Sequence, residues 1–414
     1  MRIMLGHNTP SATAKSIVLD LSNPPLGFTD NPYPLYQRLR QETPLYCQAD
    51  GSYLVSDYST LNRIYKDAVR FSSDKKVVFQ PRFGDSPLYE HHTTSLVFND
   101  PPLHTRVRKI MVGAMTPRAI AGMEAGLIKL VDQLLDELPS RSLNEDVNAL
   151  DYFAAQIPLN VIGNLFDMPL ADREPLRDWS LAILGALEPT INAEQKRKGD
   201  EAVVAFCDYL TDLVADRTKN PGDPNTDVLT RLIQTNGEKL SHTELLQNCI
   251  FTLNAGHETT TNLIANALCL LDDYSEQRKH LLSNAALITP AIDEFLRFES
   301  PNQLGNRLTT EDVVLHGKTI PAGTNLHLAI GAANRDESVF ENSERLDISR
   351  SPNKHLAFAG GPHSCLGLNL ARMEGRVAIG RFLQRYPDYR VTLRERSERI
   401  RFRGFNRLDI DLGR

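Results

Sequence analysis

The 414-residue chain has no Cys-x-x-Cys pair, and its five cysteines, at positions 47, 207, 249, 269 and 365, are an odd number. That usage argues against a disulfide scaffold and fits reduced thiols in a cytoplasm. Any metal chemistry must therefore rest on one thiol. The chain also lacks a run of the ~18 to 20 apolar residues that a spanning helix requires. Its best stretch, 263–271, holds Asn266, and residues 1–20 mix Arg2, His7, Asn8 and Lys15 among the apolar positions, so neither an anchor nor a signal peptide is expected. Positive charge is not in excess either: 46 basic against 52 acidic side chains leave a formal charge of −6, which argues against a protein built mainly to hold nucleic acid. Several motifs are missing. There is no Gly-x-Ser-x-Gly elbow and no Gly-x-Gly-x-x-Gly turn. Gly317-Lys318-Thr319 lacks the earlier glycine of a phosphate loop, Asp312 standing there, and His257-Glu258 lacks the second histidine of a zinc hydrolase, Thr261 standing there.

What is present is the composition of an ordinary globular protein, 41% hydrophobic and 24% charged. No repeat, low-complexity tract or Gly/Ser linker divides it, so one domain over 1–414 is expected, with an N-terminal extension over about 1–30. Short strand-like runs at 45–48 and 53–56 flank Asp50-Gly51, a hairpin signal. From Arg118 to about Ser300, apolar residues recur at three- and four-residue spacing, which predicts a mainly helical body. Ser241-His242-Thr243-Glu244 matches a capping box and predicts a helix of about thirty residues running to Asp272. Shorter β-type runs follow at 313–316 and 325–330, then a helical stretch over 366–386 stopped by Pro387. The expected class is mainly α with smaller β-sheets.

The most informative segment is Phe358-Ala359-Gly360-Gly361-Pro362-His363-Ser364-Cys365-Leu366-Gly367. Its glycines allow close backbone approach, and Cys365 sits where a helix is predicted to begin, with N–H groups and a positive dipole end that would favour a thiolate. A lone cysteine is more often a small buried hydrophobe. Here the pattern around it resembles the haem-binding loop of the cytochrome P450 superfamily, Phe-x-x-Gly-x-His-x-Cys-x-Gly, with Phe358, Gly361, His363, Cys365 and Gly367 in place. Ala359 departs from the glycine or small polar residue usual there, and a slightly altered loop is expected. The resemblance implies the P450 fold, with a long central helix over the haem, haem b as cofactor with Cys365 as its axial ligand, and dioxygen as co-substrate.

Three more segments carry the resemblance, which extends from about Asn31 to the C-terminus. Ala255-Gly256-His257-Glu258-Thr259-Thr260 lies mid-helix, where glycine and threonine are poor helix formers by roughly 0.5 to 1 kcal/mol each. The Thr259 hydroxyl can bond the Ala255 carbonyl, and a bulge is expected there. By resemblance this is the oxygen-activation motif, with Glu258 admitting protons and Thr259 holding the dioxygen being reduced. Glu294 and Arg297 stand three apart on one helical face, a weak signal alone; the resemblance joins them to Arg345 in a structural network. Asp100-Pro101-Pro102-Leu103-His104-Thr105-Arg106-Val107-Arg108 sets His104 and Arg108 on one face if helical. The resemblance gives His104, Arg108, Arg307 and His363 to the haem propionates, a role suited to charge-assisted bonds.

A thiolate ligand favours O–O cleavage, so a monooxygenase acting on a small or medium apolar organic substrate is implied. A hydrogen-peroxide-using peroxygenase and a non-catalytic haem sensor or binder remain alternatives. The chain shows no flavin or iron–sulfur cysteine pattern, so electrons must come from a separate partner, by resemblance a ferredoxin or a flavodoxin with its reductase. Arg106, Lys109 and Arg372 are the expected docking patch. Motif alignment puts Phe98, Phe251, Asn254, Ala255, Gln303, Leu304 and Phe405 around the substrate, and the polar Asn254 and Gln303 suggest a substrate with an oxygen or nitrogen group.

Overall fold

The computed structural model describes residues 17–142, 146–234 and 240–413, so residues 1–16 of the expected N-terminal extension lie outside the described residues. Its strands are β1 (Leu45–Cys47), β2 (Tyr53–Val55), β3 (Phe71–Ser72), β4 (Asp146–Asn148), β5 (Leu304–Thr309), β6 (Val313–Leu315), β7 (Lys318–Ile320), β8 (Asn325–Ala329), β9 (Arg390–Arg396) and β10 (Phe405–Asp411). The expected hairpin forms: β1 and β2 pair antiparallel with Leu45 opposite Val55, and Gly51 turns between them at φ +83°. They belong to a five-stranded sheet of order β1-β2-β8-β5-β3, parallel only between β2 and β8. A second sheet runs β4-β10-β9, and β6-β7 is a separate hairpin.

The rest is mainly helical, as the periodicity predicts. The capping box forms at Ser241 and Glu244 and opens a helix of 32 residues, His242–Asp273. This long helix is buried nearly all round, because helices, loops and the β9–β10 ribbon pack on every side. Its backbone stays α-helical through Gly256 and Thr260, so the expected bulge does not open. The Thr259 hydroxyl does bond the Ala255 carbonyl, at 2.8 Å, and the packed neighbours hold the helix regular. Among the described residues, no helix is long and apolar enough to cross a membrane.

Buried apolar side chains form three clusters. The largest surrounds the long helix and the Leu368–Arg385 helix. A second lies under the five-stranded sheet, and a third joins its other face to Tyr33, Tyr36 and Leu39. The Cys365 loop and the start of β5 therefore stand where the helical body meets the sheet.

Candidate active site

The long helix carries the first half of the site. Within 248–271, a stretch otherwise buried, Phe251, Ala255, Gly256 and Thr259 are only partly covered. Three of them recur at four-residue spacing and so share one face. This open stripe inside the helical body is where a planar cofactor and a substrate can lie against the helix.

The loop 358–367 carries the second half. Gly361 turns at φ +64°, and a Cβ there would come within 2.2 Å of the Tyr65 carbonyl oxygen, so only glycine lets the loop reach the Tyr58–Lys66 helix. Ala359 also takes a left-handed conformation, φ +54°, which glycine adopts freely and an L-residue only at a cost. The Cys365 N–H donates to the Phe358 carbonyl at 2.9 Å. The helix starts only at Leu368, three residues beyond Cys365, so its dipole acts less directly than expected. Burial pushes the thiol up, while the Gly367 N–H and the Arg108 and Arg372 charges pull it down.

Basic side chains converge beside this loop. His104 and Arg108 share one face of the Leu103–Ala114 helix, and His104 stacks on His363 with ring centroids 3.9 Å apart. Arg108 donates to the Ser364 carbonyl at 2.8 Å. Arg307, on β5, is 8% exposed, spends one nitrogen on the Asn306 carbonyl at 2.7 Å and lies 5.2 Å from the Tyr65 ring centre. Among the described residues none of the four has an ion-pair partner, and both ring nitrogens of His104 and Nε2 of His363 are buried without any hydrogen bond. Burial, with Arg307, His104 and Arg108 nearby, pushes His363 down to about 2. Such a cluster is costly unless something negative sits in it.

On the adjoining flank of the long helix, Glu258 is buried and paired with Arg399, which also donates to the Leu181 carbonyl at 2.7 Å. Burial raises the Glu258 carboxyl, and the Arg399 charge opposes that rise. Among the described residues, the second Glu258 carboxylate oxygen, Oε2, has no hydrogen bond. A cavity of about 200 Å³ opens onto this pair, lined also by His257, Thr261, Phe402 and Phe405.

A family model for cytochrome P450 matches residues 26–400. The chain belongs to the cytochrome P450 family. It is an oxidoreductase of the monooxygenase class, as its relatives are. The biotin biosynthesis cytochrome P450 of Bacillus subtilis (strain 168) is 35% identical over 372 residues, covering 87% of this chain and 90% of that one. The vitamin D(3) 25-hydroxylase of Pseudonocardia autotrophica is 35% identical over 395 residues, covering 93% and 95%. Among solved structures, P450BioI in complex with an acyl carrier protein ligated to hexadec-9Z-enoic acid superposes with a TM-score of 0.87 at 33% identity, covering 93% of this chain and 99% of that one.

A P450 holds haem through a cysteine thiolate, and the residues present fit that group. The orphaned nitrogens of His104 and His363 and the unpaired Arg108 and Arg307 match the two carboxylates that haem brings. The open stripe of the long helix supplies a face for the ring.

Several expected roles are corrected by the geometry. Arg345 is not the third side chain of the Glu294–Arg297 network. Its side chain is exposed and only its carbonyl takes part, accepting from Arg297 at 3.2 Å. Arg350 reaches Glu294 instead, at 3.1 Å, beside the fully buried Glu294–Arg297 pair at 2.8 Å. Asn254 lies off the open stripe, buried, where it accepts the Ser180 hydroxyl at 2.8 Å. Gln303 donates to the Ser300 carbonyl and Tyr33 hydroxyl, and Leu304 packs into the third cluster, so neither faces the stripe. Phe405 lines the cavity at Glu258. Phe98 sits edge-on to Phe79, with ring centres 5.4 Å apart. Of the docking patch, Arg106 is paired with Glu244 and Arg372 with Asp293, which leaves Lys109 exposed as the clearest cation. Arg350 and Arg399 were missed because their partners lie 56 and 141 positions away; the one available signal for Arg399 was the arginine-rich run 394–403.

Proposed function

We propose that this P450 inserts one oxygen atom from dioxygen into a small or medium, largely apolar organic molecule, using electrons from a separate ferredoxin or flavodoxin. In this reading Cys365 would ligate the iron of haem b, and His104, Arg108, Arg307 and His363 would hold its propionates. The observation that carries the reading is the set of four converging basic side chains with no ion-pair partner among the described residues, next to the cysteine loop. Thiolate-ligated haem, when bound, supplies the activation and cleavage of dioxygen. The chain's own part is to bind, orient and move protons. Phe251 and Ala255 give the substrate an apolar wall that limits water. Glu258, gripped by Arg399 and open to a cavity on its other flank, collects protons through its carboxylate, and the adjacent Thr259 hydroxyl passes them into the site.

Relatives named for fatty acyl, polyketide and vitamin D chemistry support an extended apolar substrate. Thr259→Ala tests the proton assignment. It should keep haem and substrate affinity while diverting most reducing equivalents into hydrogen peroxide, measured as product and peroxide formed per NAD(P)H consumed. Unchanged coupling would remove Thr259 from the relay.

A further inference from the structure

Among the described residues, one buried cation near this site has no hydrogen-bond or ion-pair partner. Lys75 stands between β3 and the Lys76–Phe83 helix, 2% exposed, and its Nζ makes no hydrogen bond. The acids around it are engaged elsewhere. Asp74 holds the Lys76 ammonium at 2.7 Å, and Asp100 accepts the Ser72 hydroxyl and, at 2.8 Å, the Ser73 N–H. Burying an ammonium without a counter-charge is expensive, and here two more cations, Arg307 and Arg401, stand close enough to repel it. Burial together with those two arginines pushes the Lys75 ammonium down to about 7.

Arg401, half-buried, is better provided for than Lys75. Its side chain donates to the Leu187 carbonyl at 3.0 Å and the Leu304 carbonyl at 2.8 Å, and it has no ion pair among the described residues. Glu188 spends Oε2 on the backbone N–H groups of Ile400 and Arg401, at 3.0 and 3.1 Å, and its carboxylate charge offsets part of the Arg401 charge. Arg401 lies two positions beyond Arg399, which grips Glu258 next to Thr259. The turn that carries it therefore meets the long helix beside the open stripe. The haem carboxylates are already matched by His104, Arg108, Arg307 and His363, which leaves Lys75 without a partner among the described residues and Arg401 balanced only in part by Glu188.

We propose that Lys75 and Arg401 together receive the carboxylate of an acidic substrate whose apolar chain runs along the stripe toward Thr259. The inference rests on the monooxygenase reading above and narrows its substrate class to apolar carboxylic acids. An anion bound there would supply the missing counter-charge and keep Lys75 protonated.

The test is a titration of the ferric holoenzyme with lauric acid, methyl laurate and 1-dodecanol, followed by the haem spin-state change and independently by calorimetry. The parent should bind the acid about tenfold or more tighter than the ester or alcohol. Lys75→Met removes a buried charge and so should fold; it should abolish that preference while leaving the alcohol within about twofold. Absence of any preference in the parent, persistence of the preference in Lys75→Met, or binding of none of the three ligands would overturn the inference. Loss of haem from Lys75→Met, or equal weakening of all three ligands, would also overturn it, by assigning Lys75 to the haem carboxylates. Failure of the underlying monooxygenase reading would be visible separately, as a protein that takes up no haem before any ligand is added.

Discussion

Ala359 holds a backbone angle that L-residues avoid, φ +54°, one residue after the motif phenylalanine. Left-handed backbone costs a non-glycine residue ~1 to 2 kcal/mol, against ~0.5 to 1 kcal/mol for the extra freedom glycine gives the unfolded chain. Ala359→Gly should therefore stabilise the holoenzyme by about 0.5 to 1 kcal/mol, read as a higher urea midpoint; a lower midpoint would mean the loop uses the methyl group. Glu374 makes a different kind of prediction. It is 2% exposed, its closest hydrogen-bond donor is the Thr260 hydroxyl at 3.4 Å, and burial pushes its carboxyl up to about 8. The unfolded chain gives up this proton in the ordinary carboxylate range, whereas the folded one keeps it until about pH 8. Stability from this group is thus full below the ordinary range, falls as pH rises through it and levels off above about 8. Glu374→Gln should match the parent near pH 4 and exceed it by up to a few kcal/mol near pH 8.5. Parallel stability–pH curves for the two proteins would contradict the assignment.

Between elements, the Ile288–Phe298 helix and the segment 341–350 meet through Glu294 and Arg297, and Arg350 completes the contact. Arg350→Ala leaves a buried carboxylate with one cation fewer and should cost about 1 to 3 kcal/mol and reduce haem retention. Arg345→Ala, on an exposed side chain, should stay within about 0.5 kcal/mol; equal urea midpoints for the two variants would return the role to Arg345. The same contrast explains what could be read from the chain alone. The capping box, the β1–β2 hairpin and the cysteine loop depend on residues within ten positions of each other, so their patterns are visible in order. The four bases were reached only through the resemblance, since nothing local distinguishes Arg307 from a solvent-facing strand arginine. Arg350 and Arg399, and the turning of Asn254 and Gln303 toward internal partners, depend on how distant segments dock. A shift of one residue in that docking changes which arginine reaches a carboxylate, and no local spacing records it.

Across the molecule, the helical body and the five-stranded sheet present complementary parts of one site. The long helix contributes an open stripe ending at Thr259, the loop before the Leu368–Arg385 helix contributes Cys365, and β5 brings Arg307 to the basic cluster. In the proposed reading, chain segments more than 250 positions apart thus supply a sulfur ligand, four basic side chains and a proton path around one space. The claim on which the rest stands is that the Cys365 sulfur ligates haem iron in this site. Its most direct test is the absorption spectrum of the purified ferrous protein with carbon monoxide, for the parent and for Cys365→Ser. The account predicts the strongly red-shifted Soret band of thiolate ligation in the parent and its loss in the variant. A parent that stays colourless with haem supplied, or the same red-shifted band in Cys365→Ser, would contradict it.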